Sequence, residues 1–491
     1  MAGLRETLVG YSDWLGYGHA GRAEQWLARL EVNRAELEAF RGIALTSEQP
    51  WLARPTAVRP ADGRGKGAGA PMPADAAGAL ERARSRPELH AFTWLPESVP
   101  RGGPGFLSGV PVAVKDLMAV AGMPLTGGSR ALEPMQPAAD AEIVARLRRA
   151  GMVPMGLANL HELAYGITSD NPHFGRVVNP AASDRIPGGS SGGSAAAIAA
   201  GIVRAAIGTD TAGSIRIPAA CCGITGLKPS YDALPRTGVL DLAATLDHVG
   251  PMGRDVEDCA ALFAAMLGMD HVPDWTSADL RGRTVARLGG YFEEPLDPDV
   301  RAALDGAAAA LRAEGARVDS RSIPGAELAP AIQLNIIAPE ATAVHAERIR
   351  THAEGLGEDV RVRIEMGHFL PGYWYVKAQR LRSVLAAAID AMFDEADVLL
   401  CATLRAPAPK VGASKVQIGE RTYPLHTAVT NLTLPFNLSG LPAVSVPWSA
   451  SRDGVPIALQ VVAPRGADWR ALAVAERLQS HAPWREARRP G

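Results

Sequence analysis

Apolar positions along the chain switch between two periods. Near the start, Trp26, Leu27, Leu30, Val32 and Leu37 recur among Arg and Glu at helical spacing, which predicts a helical N-terminal extension over 1–60. A run rich in Gly, Pro and Ala, ADGRGKGAGAPMPADAAG, follows at 61–78 and reads as a flexible linker. The main domain is expected over 79–485. Inside it, short apolar strands alternate with helices: VPVAVKD (110–116), an amphipathic EIVARLRRAG (142–151), MVPMGLA (152–158) and SAAAIAAGIVRAAIGTD (194–210). That alternation predicts an α/β fold with a largely central sheet. Residues 284–320 repeat it with TVARL as strand, DVRAALDGAAAALRAEG as helix and ARVDS as strand. The pattern is mainly helical from 325 to 395. Strand-like runs then return in DVLLCATL, PAVSVPW and IALQVVA, before a closing helix near 468–480.

Composition narrows the class. With 491 residues the chain is long enough to bury a large core. A charged fraction of 21% and a net charge of −2 give no field for gathering nucleic acid or an anionic membrane. The N-terminus lacks a basic run before an apolar one, and no stretch of 18 uncharged apolar residues follows, so a cytoplasmic protein is expected. The four cysteines show no C-x-x-C spacing and are expected to be buried apolar side chains. Of the 50 basic residues only six are lysine, at 66, 115, 228, 377, 410 and 415. Arginine stays charged in a protein, whereas a buried lysine can lose its proton, so each lysine in an apolar setting is a candidate base.

Two passages carry the chemistry. RIPGGSSGGSAAAIAAG (185–201) runs from Gly and Ser into a small-residue helix. It lacks the G-x-x-x-x-G-K-[ST] lysine of a phosphate loop. Gly188, Ser190 and Gly192 match G-x-S-x-G, but NPAASDRIP cannot be the apolar strand that feeds a nucleophile elbow. Alone, the run reads as a glycine-rich turn. The second passage, GTDTAGSIRIPAACCGITGLKP (208–229), puts Ser214 behind a Thr-Ala-Gly turn that could direct several backbone N–H groups at one point, as an oxyanion hole requires. Ser214 needs a base. His161, His173 and His248 sit at no spacing that ties them to it. Lys115 ends the apolar strand VPVAVKD, where burial would depress its pKa toward neutrality. No S-x-x-K occurs, so this lysine must approach from a distant strand.

Together VKD (114–116), GGSSGGS (188–194) and GTDTAGSIRIPA (208–219) resemble the amidase signature family. The separations, 75 residues from Lys115 to Ser190 and 24 from Ser190 to Ser214, match the family's lysine, cis-serine and nucleophilic serine. ADAAGALERARSRPELHAF (74–92), GLANLHELAYG (156–166), GRVVNP (175–180), LDHVGPMGRDVED (246–258) and LPFNLSGLPAVSVP (434–447) extend the likeness over about 74–480. The first 70 residues fall outside it and resemble the small helical subunit that accompanies some members.

The resemblance implies an amidase signature fold, a central mixed β-sheet covered by helices on both faces, with a variable helical substrate region at about 325–395. It implies an amidohydrolase that cleaves a linear carboxamide through an acyl-enzyme and releases ammonia or an amine. Ser214 would be the nucleophile, Ser190 a bridging serine in a cis peptide and Lys115 the base. The amides of Thr211, Ala212, Gly213 and Ser214 would form the oxyanion hole, with Ser191, Asp210 and Arg216 as supports. It implies neither metal nor cofactor. The expected partner is a small-molecule amide, with neither nucleic acid nor membrane, and the expected assembly a homodimer. Two alternatives stay open: an ammonia-supplying, amidotransferase-type subunit, or a hydrolase of allophanate, carboxybiuret or carbamate substrates. Ala212 stands where glycine is usual, and Leu157-Ala158-Asn159 replaces K-T-N. Ile217 stands where the amidotransferase subunit usually carries Gln, which favours a free-standing hydrolase. Acyl-pocket residues are expected between about 325 and 430, where Trp374 and Tyr375 are better read as packing than as lining.

Overall fold

The computed structural model describes residues 6, 8, 9, 22–43, 72–132, 135–276 and 279–484. One mixed sheet of 11 strands runs through it in the order β1 (Phe92–Trp94), β3 (Val153–Ala158), β2 (Pro111–Lys115), β4 (Ala205–Asp210), β6 (His248–Gly253), β5 (Thr225–Lys228), β12 (Ala443–Ala450), β13 (Pro456–Val462), β9 (Val398–Ala402), β7 (Thr284–Leu288) and β8 (Arg317–Arg321). β2 is parallel to both β3 and β4, β7 is parallel to β8 and β9, and the strands between are antiparallel. The expected strands and helices of the main domain are present. A small hairpin of β10 (Lys415–Ile418) and β11 (Arg421–Pro424) was not foreseen: each strand has four residues, and the alternation of Val416 and Ile418 is too short to stand out in the sequence.

Both faces of the sheet are covered, and strand alternation shows why. On β2, Val112 and Val114 join the larger core, whereas Ala113 joins a second core with Ala195, Ala196, Ala197 and Ile198 of the helix Gly192–Ala199. Lys115 shares the face of Ala113. The period that buries the strand thus aims its last side chain at the Gly-Ser run. Close approach needs glycine here: a Cβ on Gly193 would lie 2.3 Å from the Asn159 carbonyl oxygen.

Helix reaches further into the predicted linker than composition allows. Asp75 accepts the Gly78 N–H and caps a helix, Ala76–Arg84, that takes in the last three residues assigned to the linker. Residues 61–71, and 44–60 of the extension, lie outside the described residues. Within the extension, Ala23–Val32 and Arg34–Gly42 are helical and pack on the helical region Ala329–His352, Glu358–Met366 and Gly372–Asp390. Trp26, fully buried, donates Nε1–H to Glu365 at 2.6 Å, and Arg22 and Arg361 pair with the same carboxylate. Lys377 donates to the Phe40 carbonyl, and Phe40 packs on Trp374 at 5.6 Å between centroids. Trp374 packs, as expected, and Tyr375 donates to Glu340. All four cysteines are buried and unbridged.

Candidate active site

Lys115 is wholly buried at the end of β2, and its Nζ lies 2.8 Å from Ser190 Oγ, 2.9 Å from Ser191 Oγ and 2.7 Å from Thr209 Oγ1. Burial lowers its pKa from 10.5 to about 7, against the raising pull of Asp210 and Asp247. Three oxygens match the three N–H groups of an ammonium. A neutral amine keeps two N–H groups and a lone pair. Ser191 directs its own proton to the Thr209 carbonyl, so it accepts from Lys115. The lone pair of the neutral form is then available to Ser190. Gly208 makes room for this cluster, since a Cβ there would come within 2.9 Å of Ser191 Oγ. Thr209 was missed in sequence, where it is one polar residue at a strand end.

The Gly-Ser run turns three of its amide donors inward. Its peptide Gly189–Ser190 is cis. The Ser191 N–H donates to the Ser214 carbonyl, Gly192 N–H to Ser169 Oγ and Gly193 N–H to the Asn159 carbonyl. Those donors are engaged within the protein, and they hold the run against the Ser214 loop.

That loop is organised by one buried ion pair. Asp210 ends β4 and takes Nε and Nη2 of Arg216, each at 3.0 Å, both side chains fully buried. Burial pushes the Asp210 carboxyl up, but Arg216, Lys228 and the Asn437 amide outweigh it and hold it well below the usual range. Arg216 continues to the Thr433 carbonyl, Gln460 and Asn437. Thr433 Oγ1 donates to the Ala212 carbonyl, Thr211 Oγ1 to Asp247, and Gln333 Nε2 to the Thr211 carbonyl. Burial pushes Asp247 up to about 6, opposed by that Thr211 bond and by the Leu242 and Ala243 amides. Burial also lowers Lys228, the other buried lysine among the described residues, which donates to the Pro229 carbonyl and lies behind this pair rather than at the serines.

One expected oxyanion donor is corrected. The Gly213 N–H points at Asp210 Oδ1, 2.7 Å away, because the carboxylate that pairs with Arg216 also closes the turn. Among the described residues, the N–H groups of Thr211, Ala212 and Ser214 have no such acceptor. Ser214 is 6% exposed, and among the described residues no hydrogen bond joins its hydroxyl to Ser190. The three histidines are occupied elsewhere. His161 faces Thr168 and Asp359, and His173 faces Glu162. His248 Nδ1 lies against the Leu246 and Asp210 carbonyls, so it carries the proton.

Comparison with known proteins shows the family. The Amidase family model matches residues 86–472. The A-subunit of glutamyl-tRNA(Gln) amidotransferase from Geotalea daltonii is 38% identical over 420 residues, 78% of this chain and 85% of that protein. AtzE, a 1-carboxybiuret hydrolase subunit from a Pseudomonas strain, is 37% identical over 371 residues, 73% of this chain and 80% of its own. A crystal structure of an amidase superposes with a TM-score of 0.77 at 34% identity, covering 82% of this chain and 94% of that one. The sheet, the helices on it and the matched residues have one explanation: the chain belongs to the amidase signature family.

Proposed function

We propose that the chain is an amidohydrolase that opens a linear carboxamide through an acyl-enzyme on Ser214. The observation that carries this reading is the buried contact of Lys115 Nζ with Ser190 Oγ at 2.8 Å, around an amine whose pKa burial brings near neutrality. As Ser214 Oγ bonds to the carbonyl carbon, its proton passes to Ser190 Oγ and the Ser190 proton passes to the Lys115 lone pair. Negative charge on the former carbonyl oxygen meets the N–H groups of Thr211, Ala212 and Ser214. Collapse breaks the C–N bond while the relay returns the proton to nitrogen, without which an amine is a poor leaving group. Water then adds to the acyl carbon through the same relay, releasing a carboxylic acid and Ser214. Ser191 and Thr209 position Lys115, and Asp210 and Arg216 hold the loop.

A serine-directed fluorophosphonate is expected to label the wild-type protein and not Ser214→Ala. Labelling that persists in the variant refutes the assignment.

Two narrower readings have named relatives behind them. The likeness to the amidotransferase A-subunit favours an ammonia-supplying role, which predicts stable co-purification with other chains. The likeness to a 1-carboxybiuret hydrolase component favours a ureido substrate. The free-standing homodimer is our preferred assembly, and an active homo-oligomer in light scattering supports it. A panel of aliphatic, aryl, carbamate and ureido amides with ammonia detection separates the substrates.

A further inference from the structure

Four consecutive carbonyls of the Ser214 loop are each held from behind. The Asp210 carbonyl accepts from Asn437 Nδ2 and His248 Nδ1, each at 3.1 Å, and the Thr211 carbonyl from Gln333 Nε2 at 3.1 Å. The Ala212 carbonyl accepts from Thr433 Oγ1 at 2.7 Å and the Gly213 carbonyl from the Ile217 N–H at 2.7 Å. In a trans peptide the C=O and the N–H point in opposite directions, so a donor fixed on the one aims the other. The Thr211–Ala212 peptide is trans, and its N–H is the Ala212 donor that no acceptor takes among the described residues. Gln333 is the contact that aims it. The residue is 4% exposed and its Oε1 has no partner among the described residues, so the bond to Thr211 is the one hydrogen bond of this side chain there. A methionine would fill the same space without stranding a buried oxygen, so packing alone does not account for glutamine at this position. Seven residues on, two turns along the same helix Ala329–His352, Glu340 takes the Thr245 N–H and Oγ1–H at 3.0 and 2.6 Å. Asp247, close after Thr245, accepts from Thr211 Oγ1 at 2.6 Å. One helix thus reaches Thr211 twice, directly at its carbonyl and through the 245–247 segment at its hydroxyl.

We infer that Gln333 is a positioning residue: its bond to the Thr211 carbonyl aims the Ala212 N–H at the oxyanion, so the helix Ala329–His352 sets one donor of the hole. The inference rests on the amidohydrolase reading of Ser214. Gln333 touches no reacting atom and acts only through this peptide. Donation to the carbonyl also polarises the peptide toward a stronger N–H donor. The effect falls on the charged tetrahedral state and not on the bound amide, so it belongs to kcat rather than to KM.

The test follows the rate and the extent of Ser214 labelling by a fluorophosphonate, whose adduct places a phosphoryl oxygen where the oxyanion forms, beside kcat and KM for the best amide of the panel. Gln333→Met removes the donor. Gln333→Glu restores it when its carboxyl carries a proton, a state that burial and the facing carbonyl both favour. With Gln333→Met, labelling is expected to reach completion about 10-fold or more slowly than in wild type, with kcat falling by a similar factor and KM staying within about threefold. At pH 6, Gln333→Glu is expected to label about threefold or more faster than Gln333→Met. A smaller loss in Gln333→Met, a loss carried by KM or by the labelled fraction, or a smaller gain in Gln333→Glu overturns the inference. Failure of the underlying reading is read separately, as an absence of Ser214-dependent fluorophosphonate labelling in the wild-type protein.

Discussion

Acidifying the protein from pH 8 to pH 5 tests the relay at its base. Lys115 has no exposed surface, and burial brings it from 10.5 to about 7. At the usual conversion this is about 5 kcal/mol against the ammonium. Only the neutral amine can receive the Ser190 proton. Its fraction is about half at pH 7, about a tenth at pH 6 and about a hundredth at pH 5, so kcat/KM is expected to fall roughly 90-fold between pH 8 and pH 5. The sign is that of a base with a depressed pKa: activity is present above the folded value and lost below it. Asp247 is the check on cause, because its charge raises the Lys115 pKa. Asp247→Asn is therefore expected to move the acid limb to lower pH, even if the weakened Thr211 bond lowers the plateau. The assay is initial-rate hydrolysis of the best amide from the panel, in constant-ionic-strength buffers. A flat profile from pH 5.5 to 8.5, or a limb near the ordinary lysine value, refutes Lys115 as the base, and a limb that moves upward in Asp247→Asn refutes the electrostatic account.

Two further outcomes concern stability. Arg216→Met strands the buried Asp210 carboxylate, so a loss of about 3–5 kcal/mol is expected in urea unfolding, and a loss under about 1 kcal/mol counts against the ion pair as the organiser of the loop. Trp26→Ala removes a fully buried indole and its bond to Glu365, at a cost of about 3–5 kcal/mol to the docking of the N-terminal helices. Faster protease cleavage within 22–43, with Ser214 labelling retained, is the expected result, and unchanged cleavage refutes that docking role.

The chain's periodicity was enough to predict an α/β fold with a central sheet and the helical region at 325–395, because burial on both faces writes itself into continuous apolar strands and amphipathic helices, while the mixed strand directions came from the family resemblance. The residues by themselves pointed to Lys115 and Ser214 as candidates, and Ser190 entered only through the resemblance of the three motifs to a known family. Hydrogen-bond direction was not legible. Only the folded chain turns the Gly213 N–H toward Asp210, sets Thr209 beside Lys115 and, among the described residues, leaves Gln333 Oε1 without a donor. These features depend on partners from 3 to 122 residues away and on angles that no residue pattern encodes. The start of the helix Ala76–Arg84 also escaped composition, since Asp75 caps it from within a Gly-, Pro- and Ala-rich run. Sequence therefore determined which groups are present and which strands carry them, and tertiary structure decided which lone pairs and protons face one another.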